Sequence, residues 1–174
     1  GPEAPLQKSD AWKHAASFVR GVKEHCLASG LRYDLYHTHY WMSGWAGLEL
    51  AAWQPAPMLH MYHTLGALKS LSAGPGAVPE PTPRIEVERR IARGADLIVA
   101  ATPTDKAQVV EHCLADPERV AVVPPGVDLE LFRPISPAAA SAYLGQPPDH
   151  LMILFVGRLD PVKGLDTLVR AMGL

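Results

Sequence analysis

Strand-length apolar runs alternate with helix-spaced amphipathic stretches along this chain, and that alternation narrows the fold more than any other feature. Residues 97–101 (Leu-Ile-Val-Ala-Ala), 120–123 and 151–156 are short apolar runs, and 33–39 and 57–63 have strand-like composition. Between them lie stretches with apolar residues three or four apart. Ser9 or Asp10 opens the first helix, in which Trp12, Ala16, Val19, Val22 and Cys26 share a face and Gly30 marks the stop. Ser43 is expected to cap a second helix through about Trp53, and 85–93 reads as a helix closed by Gly94. Thr104 is expected to cap a helix to about Ala115, with a short helix at 138–144 and another from 163 to 172. The chain has 17 prolines, about twice the ~5% usual share. They fall between these segments, at Pro55, Pro57, Pro124, Pro125, Pro134, Pro137, Pro147 and Pro148 among others. The pattern predicts an α/β protein built on a Rossmann-like parallel sheet with helices on both faces. In such sheets ligands meet the carboxyl ends of the strands, so the residues that follow each strand are the candidates for chemistry.

Composition removes several function classes. Of 174 residues 48% are hydrophobic and 20% charged, and 16 Lys and Arg against 18 Asp and Glu leave a net charge of -2. A nucleic-acid binder or a protein that adheres to anionic membranes needs a basic excess that is absent here. The longest apolar run is six residues, far below the ~20 a bilayer requires. The opening Gly1-Pro2-Glu3 lacks the basic and then apolar layout of a secretory signal. Only two cysteines, Cys26 and Cys113, are present, without metal-type spacing, and this usage suits a reducing, cytoplasmic location.

Three constellations follow predicted strands. His37-Thr38-His39-Tyr40-Trp41-Met42-Ser43-Gly44 runs from a strand end into a helix start, where free backbone N–H groups favour an anion. An ordinary cap with two imidazoles on backbone groups explains the same residues. His60 to Lys69 follows the next strand. Its imidazoles and Thr64 hydroxyl suit sugar oxygens and Lys69 suits a phosphate, while a polar loop with a solvated lysine is the alternative. Gly157-Arg158-Leu159-Asp160-Pro161-Val162-Lys163-Gly164 places two cations around a strand-to-helix turn, an arrangement suited to a diphosphate. It matches neither a P-loop nor a GxGxxG fingerprint.

Together, Gly157-Arg158 with Lys163-Gly164, the preceding Pro124-Pro125-Gly126-Val127-Asp128 with Phe132, and His39-Tyr40-Trp41 with Ser43-Gly44 resemble the retaining glycosyltransferases of family 4, which have the GT-B fold. The likeness is strongest to the branch that holds sucrose-phosphate synthase and the mycothiol glycosyltransferase. His63-Thr64-Leu65-Gly66 with Lys69, and Arg84-Ile85-Glu86 followed by Ala95-Asp96 and Thr102, fit that branch as well.

The resemblance implies a site in two halves. Arg158 and Lys163, with Gly157 in the turn, would hold the diphosphate of a nucleotide-sugar donor, with UDP-glucose expected. His63 would sit beside the reacting carbon as the catalytic residue. Tyr40, Thr64, Lys69 and Arg84 would line the acceptor side, Lys69 and Arg84 facing the phosphate of a sugar-phosphate acceptor. With two cations on the diphosphate, no protein-bound metal is expected, and transfer would retain the anomeric configuration. Residues 1–126 would form part of the amino-terminal, acceptor-side domain, 127–150 a linker, with Gly126 and Asp128 at the crossover between them, and 151–174 the opening of the nucleotide-sugar domain. The chain would then be an interior piece of a two-domain enzyme, inactive or nearly so when isolated. Two other functions fit some residues: a metal-dependent hydrolase, since His37 and His39 share a strand face near His60 and His63, and a non-catalytic α/β binding module.

Overall fold

A computed structural model describes residues 8–71, 83–147, 152–159 and 163–173. The chain divides into two compact units, 1–126 and 127–174.

The first unit carries a sheet of four parallel strands in the order β1 (Tyr36–His39), β2 (Met58–Met61), β3 (Leu97–Ala100) and β4 (Val120–Val122). Parallel neighbours require crossovers, and helices supply them. α1 (Ala15–Ser29) precedes β1, α2 (Tyr40–Trp53) joins β1 to β2, α3 (Gly66–Leu71) and α4 (Pro83–Gly94) lie between β2 and β3, and α5 (Pro103–Cys113) joins β3 to β4. The α/β class and the parallel Rossmann-like sheet are as expected.

Register sorts the side chains into two sets. Tyr36, Thr38, Met58, His60, Ile98, Ala100 and Val120 lie on one face and are buried. Glycines on α2 make that burial possible. A Cβ on Gly44 would lie 2.6 Å from the His60 ring and 2.5 Å from Ile91, and one on Gly47 would lie 2.6 Å from Thr38. The helix therefore lies directly on the strands, with Trp41, Ala46 and Leu50 in the core alongside Val87, Ile91 and Ala92 of α4. On the other face His37, Leu59, Met61, Leu97 and Val99 are less buried and line a cavity of about 850 Å³. Leu65, Leu68 and Lys69 of the α3 segment, Asp105 and Gln108 of α5, and Val123 to Pro125 also line it.

Local chemistry shifts several boundaries. The amino-terminal segment first forms a 3-10 helix at Lys8–His14, and α1 then ends at Gly30, whose φ of 64° makes it a left-handed cap. α2 begins at Tyr40, three residues before the expected cap. Ser43 lies in its first turn, and its hydroxyl accepts from the His39 N–H at 2.8 Å and donates back to the His39 carbonyl. The cap of α5 is Thr102, not Thr104. Its Oγ1 accepts from the Asp105 N–H at 3.0 Å, and Pro103 takes the first helical position, where no backbone donor is needed. The segment after β2, for which the sequence predicts no helix, contains the six-residue helix α3.

The second unit opens with a turn in which Asp128 Oδ1 accepts from the N–H groups of Glu130 and Leu131. α6 (Pro137–Tyr143) follows, capped by Ser136 on the Ala139 N–H at 3.2 Å, and then α7 (Leu165–Met172) behind the left-handed Gly164. Residue 151 of the expected strand lies outside the described residues, and 152–156 form no strand. Met152, Ile153, Leu154 and Val156 are exposed. A parallel strand exists only by pairing, and the described residues of this unit contain no other strand for this run to join.

Candidate functional site

The carboxyl ends of β1 and β2 lie side by side, with His39 opposite Met61 in the register, so the segments 39–44 and 62–66 leave the sheet together. Both leave through a left-handed residue that is not glycine: Tyr40 has φ 70° and His63 has φ 61°. Such backbone costs about 1–3 kcal/mol per residue and persists only where surroundings impose it. At Tyr40 the constraint comes from the Ser43 hydroxyl, which grips His39 and lies 3.3 Å from the Tyr40 carbonyl.

At His63 the constraint comes from beneath. Tyr62 is buried and donates its hydroxyl to the Glu88 carbonyl at 2.8 Å. The Gly66 N–H points at both oxygens of the Glu88 carboxylate, 3.1 and 3.0 Å away. Arg84, fully buried, donates Nε to Glu88 at 2.7 Å and one terminal nitrogen to the Thr64 carbonyl at 2.8 Å and to Thr64 Oγ1 at 3.0 Å. Its other terminal nitrogen is 3.4 Å from the Tyr40 hydroxyl, and the guanidinium lies 5.0 Å over the Tyr40 ring. A Cβ on Gly66 would stand 3.0 Å from the Arg84 side chain, so the chain passes close over the ion pair. Arg84 thus ties together two of the residues expected at the acceptor side, Tyr40 and Thr64, from below. Because Thr64 Oγ1 accepts from a guanidinium, its own O–H is polarised for donation.

Four histidines surround this corner. His37 and His39 rings are 4.3 Å apart and His39 stacks on His63 at 5.0 Å, with His39 Nδ1 and His63 Nε2 at 2.8 Å. Burial, and then His37 and His63, lower the pKa of His39 below its ordinary value. His60 is fully buried. Its Nδ1 is 2.8 Å from Thr38 Oγ1, which also lies 3.1 Å from the Leu59 carbonyl. Nε2 meets no hydrogen-bond partner among the described residues. Burial first, then the other histidines, push its pKa down to about 3, which keeps it neutral. Burial likewise raises Tyr62 and pushes the Cys113 thiol up to about 12.

The structure brings Tyr40, His63, Thr64 and Arg84 into one cluster, with Lys69 on the adjoining cavity wall alongside His63 and Thr64. Arg158, Gly157 and Lys163 belong to the second unit, where all three are exposed. Glu88 was missed by the sequence reading. Its only outward signal is a position four residues after Arg84 on a helix whose Val87 and Ile91 are apolar. Among the described residues no three His, Cys, Asp or Glu side chains are grouped to hold a metal ion, so the hydrolase reading finds no ligand set there. No helix among the described residues is long and apolar enough to cross a membrane.

Comparison with known proteins agrees with this geometry. D-inositol 3-phosphate glycosyltransferase of Segniliparus rotundus is 39% identical over 173 residues, covering 99% of this chain and 38% of the relative. The protein of that name from Streptomyces bingchenggensis is 42% identical over 176 residues, again covering 99% of this chain and 38% of the relative. The chain therefore spans about two-fifths of the length of these relatives. Sucrose-phosphate synthase of Thermosynechococcus elongatus superposes with a TM-score of 0.86 at 34% identity, over 99% of this chain and 42% of that one. The fold is also that of Anabaena HepE, solved with UDP-glucose, at a TM-score of 0.66 and 18% identity, over 91% of this chain and 39% of that one. The model of Glycosyltransferase Family 4 matches residues 1–131. With three-quarters of its length inside that match, the chain belongs to glycosyltransferase family 4.

Proposed function

We propose that this chain contributes the acceptor side, and the opening of the donor side, of an enzyme that transfers a sugar from a nucleotide-diphosphate sugar to a phosphorylated polyol or sugar with retention of configuration. The observation that carries this reading is the buried Arg84–Glu88 pair, whose guanidinium reaches both Thr64 and Tyr40 beside His63. A buried ion pair is a poor source of stability, and here it aims two hydroxyl groups at one strand-end corner. Thr64 and Tyr40 then donate to acceptor oxygens and Lys69 supplies a cation for the acceptor phosphate. Arg84 acts through Thr64 and Tyr40 as a positioning residue, a different role from direct phosphate contact. His63 stands beside the reacting carbon.

In the second unit, Arg158 and Lys163 hold the donor diphosphate and offset the charge that grows as the nucleotide departs, with Gly157 giving the turn its room. That charge arrangement needs no protein-bound metal. UDP-glucose is the donor to try first. The names of the relatives and of the structural neighbour make inositol phosphate and fructose 6-phosphate the acceptors to compare. The two cysteines, buried and unpaired, suit work in the reducing cytoplasm.

An amide-resolved NMR titration of the chain with fructose 6-phosphate, inositol 3-phosphate and UDP-glucose tests this. Shifts gathering at His63, Thr64 and Lys69 with one of the phosphates, and their loss in Thr64→Val, are expected. A chain whose 39–44 and 62–69 signals respond to none of the three sinks the reading. The isolated chain is expected to show little or no turnover, and robust sugar transfer by it would overturn the division of labour given above.

A further inference from the structure

We propose that His39 is a positioning residue for His63: its Nδ1 shares one proton with His63 Nε2 and so locks the His63 ring in a single orientation and a single tautomer. The inference rests on the reading of His63 as the residue beside the reacting carbon. Its geometric part stands separately.

The backbone on both sides of His63 is held, at Tyr62 by the Glu88 carbonyl and at Thr64 by Arg84. The His63 side chain itself is exposed. An exposed imidazole on a fixed backbone still has two free torsions and two tautomers, and an encounter with a sugar oxygen requires one combination of these. The 2.8 Å approach of His39 Nδ1 to His63 Nε2 removes that freedom. Only one proton fits between two nitrogens at that distance, so two neutral rings must take complementary states. If His63 donates from Nε2, its Nδ1 presents a lone pair; if it accepts there, its Nδ1 presents an N–H. Either way the character of the nitrogen on the far side of the ring is tied to the tautomer of His39.

His39 is itself built to hold still. It is the last residue of β1, its backbone N–H and carbonyl are both taken by the Ser43 hydroxyl, and the left-handed Tyr40 follows. Its ring is confined between His37 at 4.3 Å and His63 at 5.0 Å. Its side chain is exposed, but partial desolvation and the two neighbouring imidazoles lower its pKa and so favour the neutral ring, the state in which it can donate or accept at Nδ1. The second histidine, 24 residues later, therefore gives the histidine at this strand end its role.

Long-range proton–nitrogen spectra of the imidazoles in the intact, ligand-free chain at pH 7.5 test the lock. Each ring is expected in one tautomer, complementary across the bond, with a scalar coupling between His39 Nδ1 and His63 Nε2. His39→Leu is expected to collapse the two His63 nitrogens to averaged shifts. His39→Asn, whose amide stands where Nδ1 stood, keeps a single tautomer, and His37→Leu leaves His63 as it was. Averaged His63 nitrogens in the unsubstituted chain overturn the proposal, as does a His63 spectrum indifferent to His39→Leu. If His39→Leu does not fold, the unsubstituted spectrum and the His39→Asn variant decide the matter. Because no sugar phosphate or nucleotide enters these measurements, the lock can fail while ligand binding at Thr64 and Lys69 succeeds, and the reverse.

Discussion

The strand-end corner of the first unit and the cation-bearing turn of the second are both short polar segments that follow an apolar run, yet they are organised in opposite ways. At the corner, Tyr40, His63 and Thr64 are fixed by groups below them: Arg84 and Glu88 are buried, and the sheet beneath contains Ile98 and His60 at no measurable exposure. At the turn, Gly157 and Arg158 follow 152–156, which forms no strand, and Ile153, Leu154 and Val156 are 60%, 73% and 84% exposed. A binding residue is placed by what lies under it. The first unit has an underside of apolar strands and a buried ion pair, and the described part of the second has two short helices and a capped turn.

The largest expected effect comes from removing that underside at its most polar point. Glu88→Ala removes the carboxylate paired with the buried Arg84 guanidinium and frees the Gly66 N–H, which costs about 3–5 kcal/mol. Urea unfolding of the chain measures it. The double variant Arg84→Met with Glu88→Leu removes both charges and should recover most of that stability, while losing the shifts at Thr64 on addition of sugar phosphate. If the single and double variants lose equal stability, the pair itself stabilises the fold, and if the Thr64 shifts persist in the double variant its role in aiming Thr64 is wrong.

The next comparison uses one residue type in two apolar runs that look alike in the sequence. Ile98 lies in β3 with no exposure, and Ile153 is 60% exposed. Ile98→Ala should cost about 2–5 kcal/mol, whereas Ile153→Ala should stay within about 0.5 kcal/mol. Equal losses in the same denaturation experiment would mean that 152–156 is packed in solution, and the contrast between the two units would collapse.

These two runs also mark how far the sequence could be read. Strand-length apolar runs between helix-spaced stretches were sufficient for a parallel α/β sheet, because each of the four strands finds its partner within the first unit. The run at 151–156 has the same composition, but composition does not say whether a partner is present. Helix α3 was invisible because six residues hold less than two turns, too few for periodicity to register. Tyr40, His63 and Thr64 were legible as residues just past strands. Glu88 was not, since Arg84 and Glu88 four apart on a helix look like any solvated surface pair, and only tertiary burial distinguishes them. The displaced caps have the same origin: Ser43 and Thr104 are competent cap residues, but Tyr40 enters the helix directly from β1 and Pro103 selects Thr102.

The smallest of the three effects is graded by pH and is confined to the first unit. His60 is neutral in the folded chain, with its pKa pushed down to about 3, while the unfolded chain restores the ordinary value of 6.5. Between those values the unfolded state binds a proton that the folded state refuses, so acid favours unfolding. The contribution is fully present above pH 6.5 and is lost as pH falls toward 3, at about 1.4 kcal/mol per pH unit. Carboxylates add their own slope in the same range, so the informative quantity is a difference. His60→Leu removes the titrating ring and the unpartnered Nε2 together, and leaves the Thr38 hydroxyl its bond to the Leu59 carbonyl. From pH 6.5 to pH 5 the unsubstituted chain should lose about 1.7 kcal/mol more than this variant in urea unfolding. Parallel slopes would place His60 in contact with water, and the α2 helix that Gly44 lets rest on that ring could not then lie as close to β2 as it does.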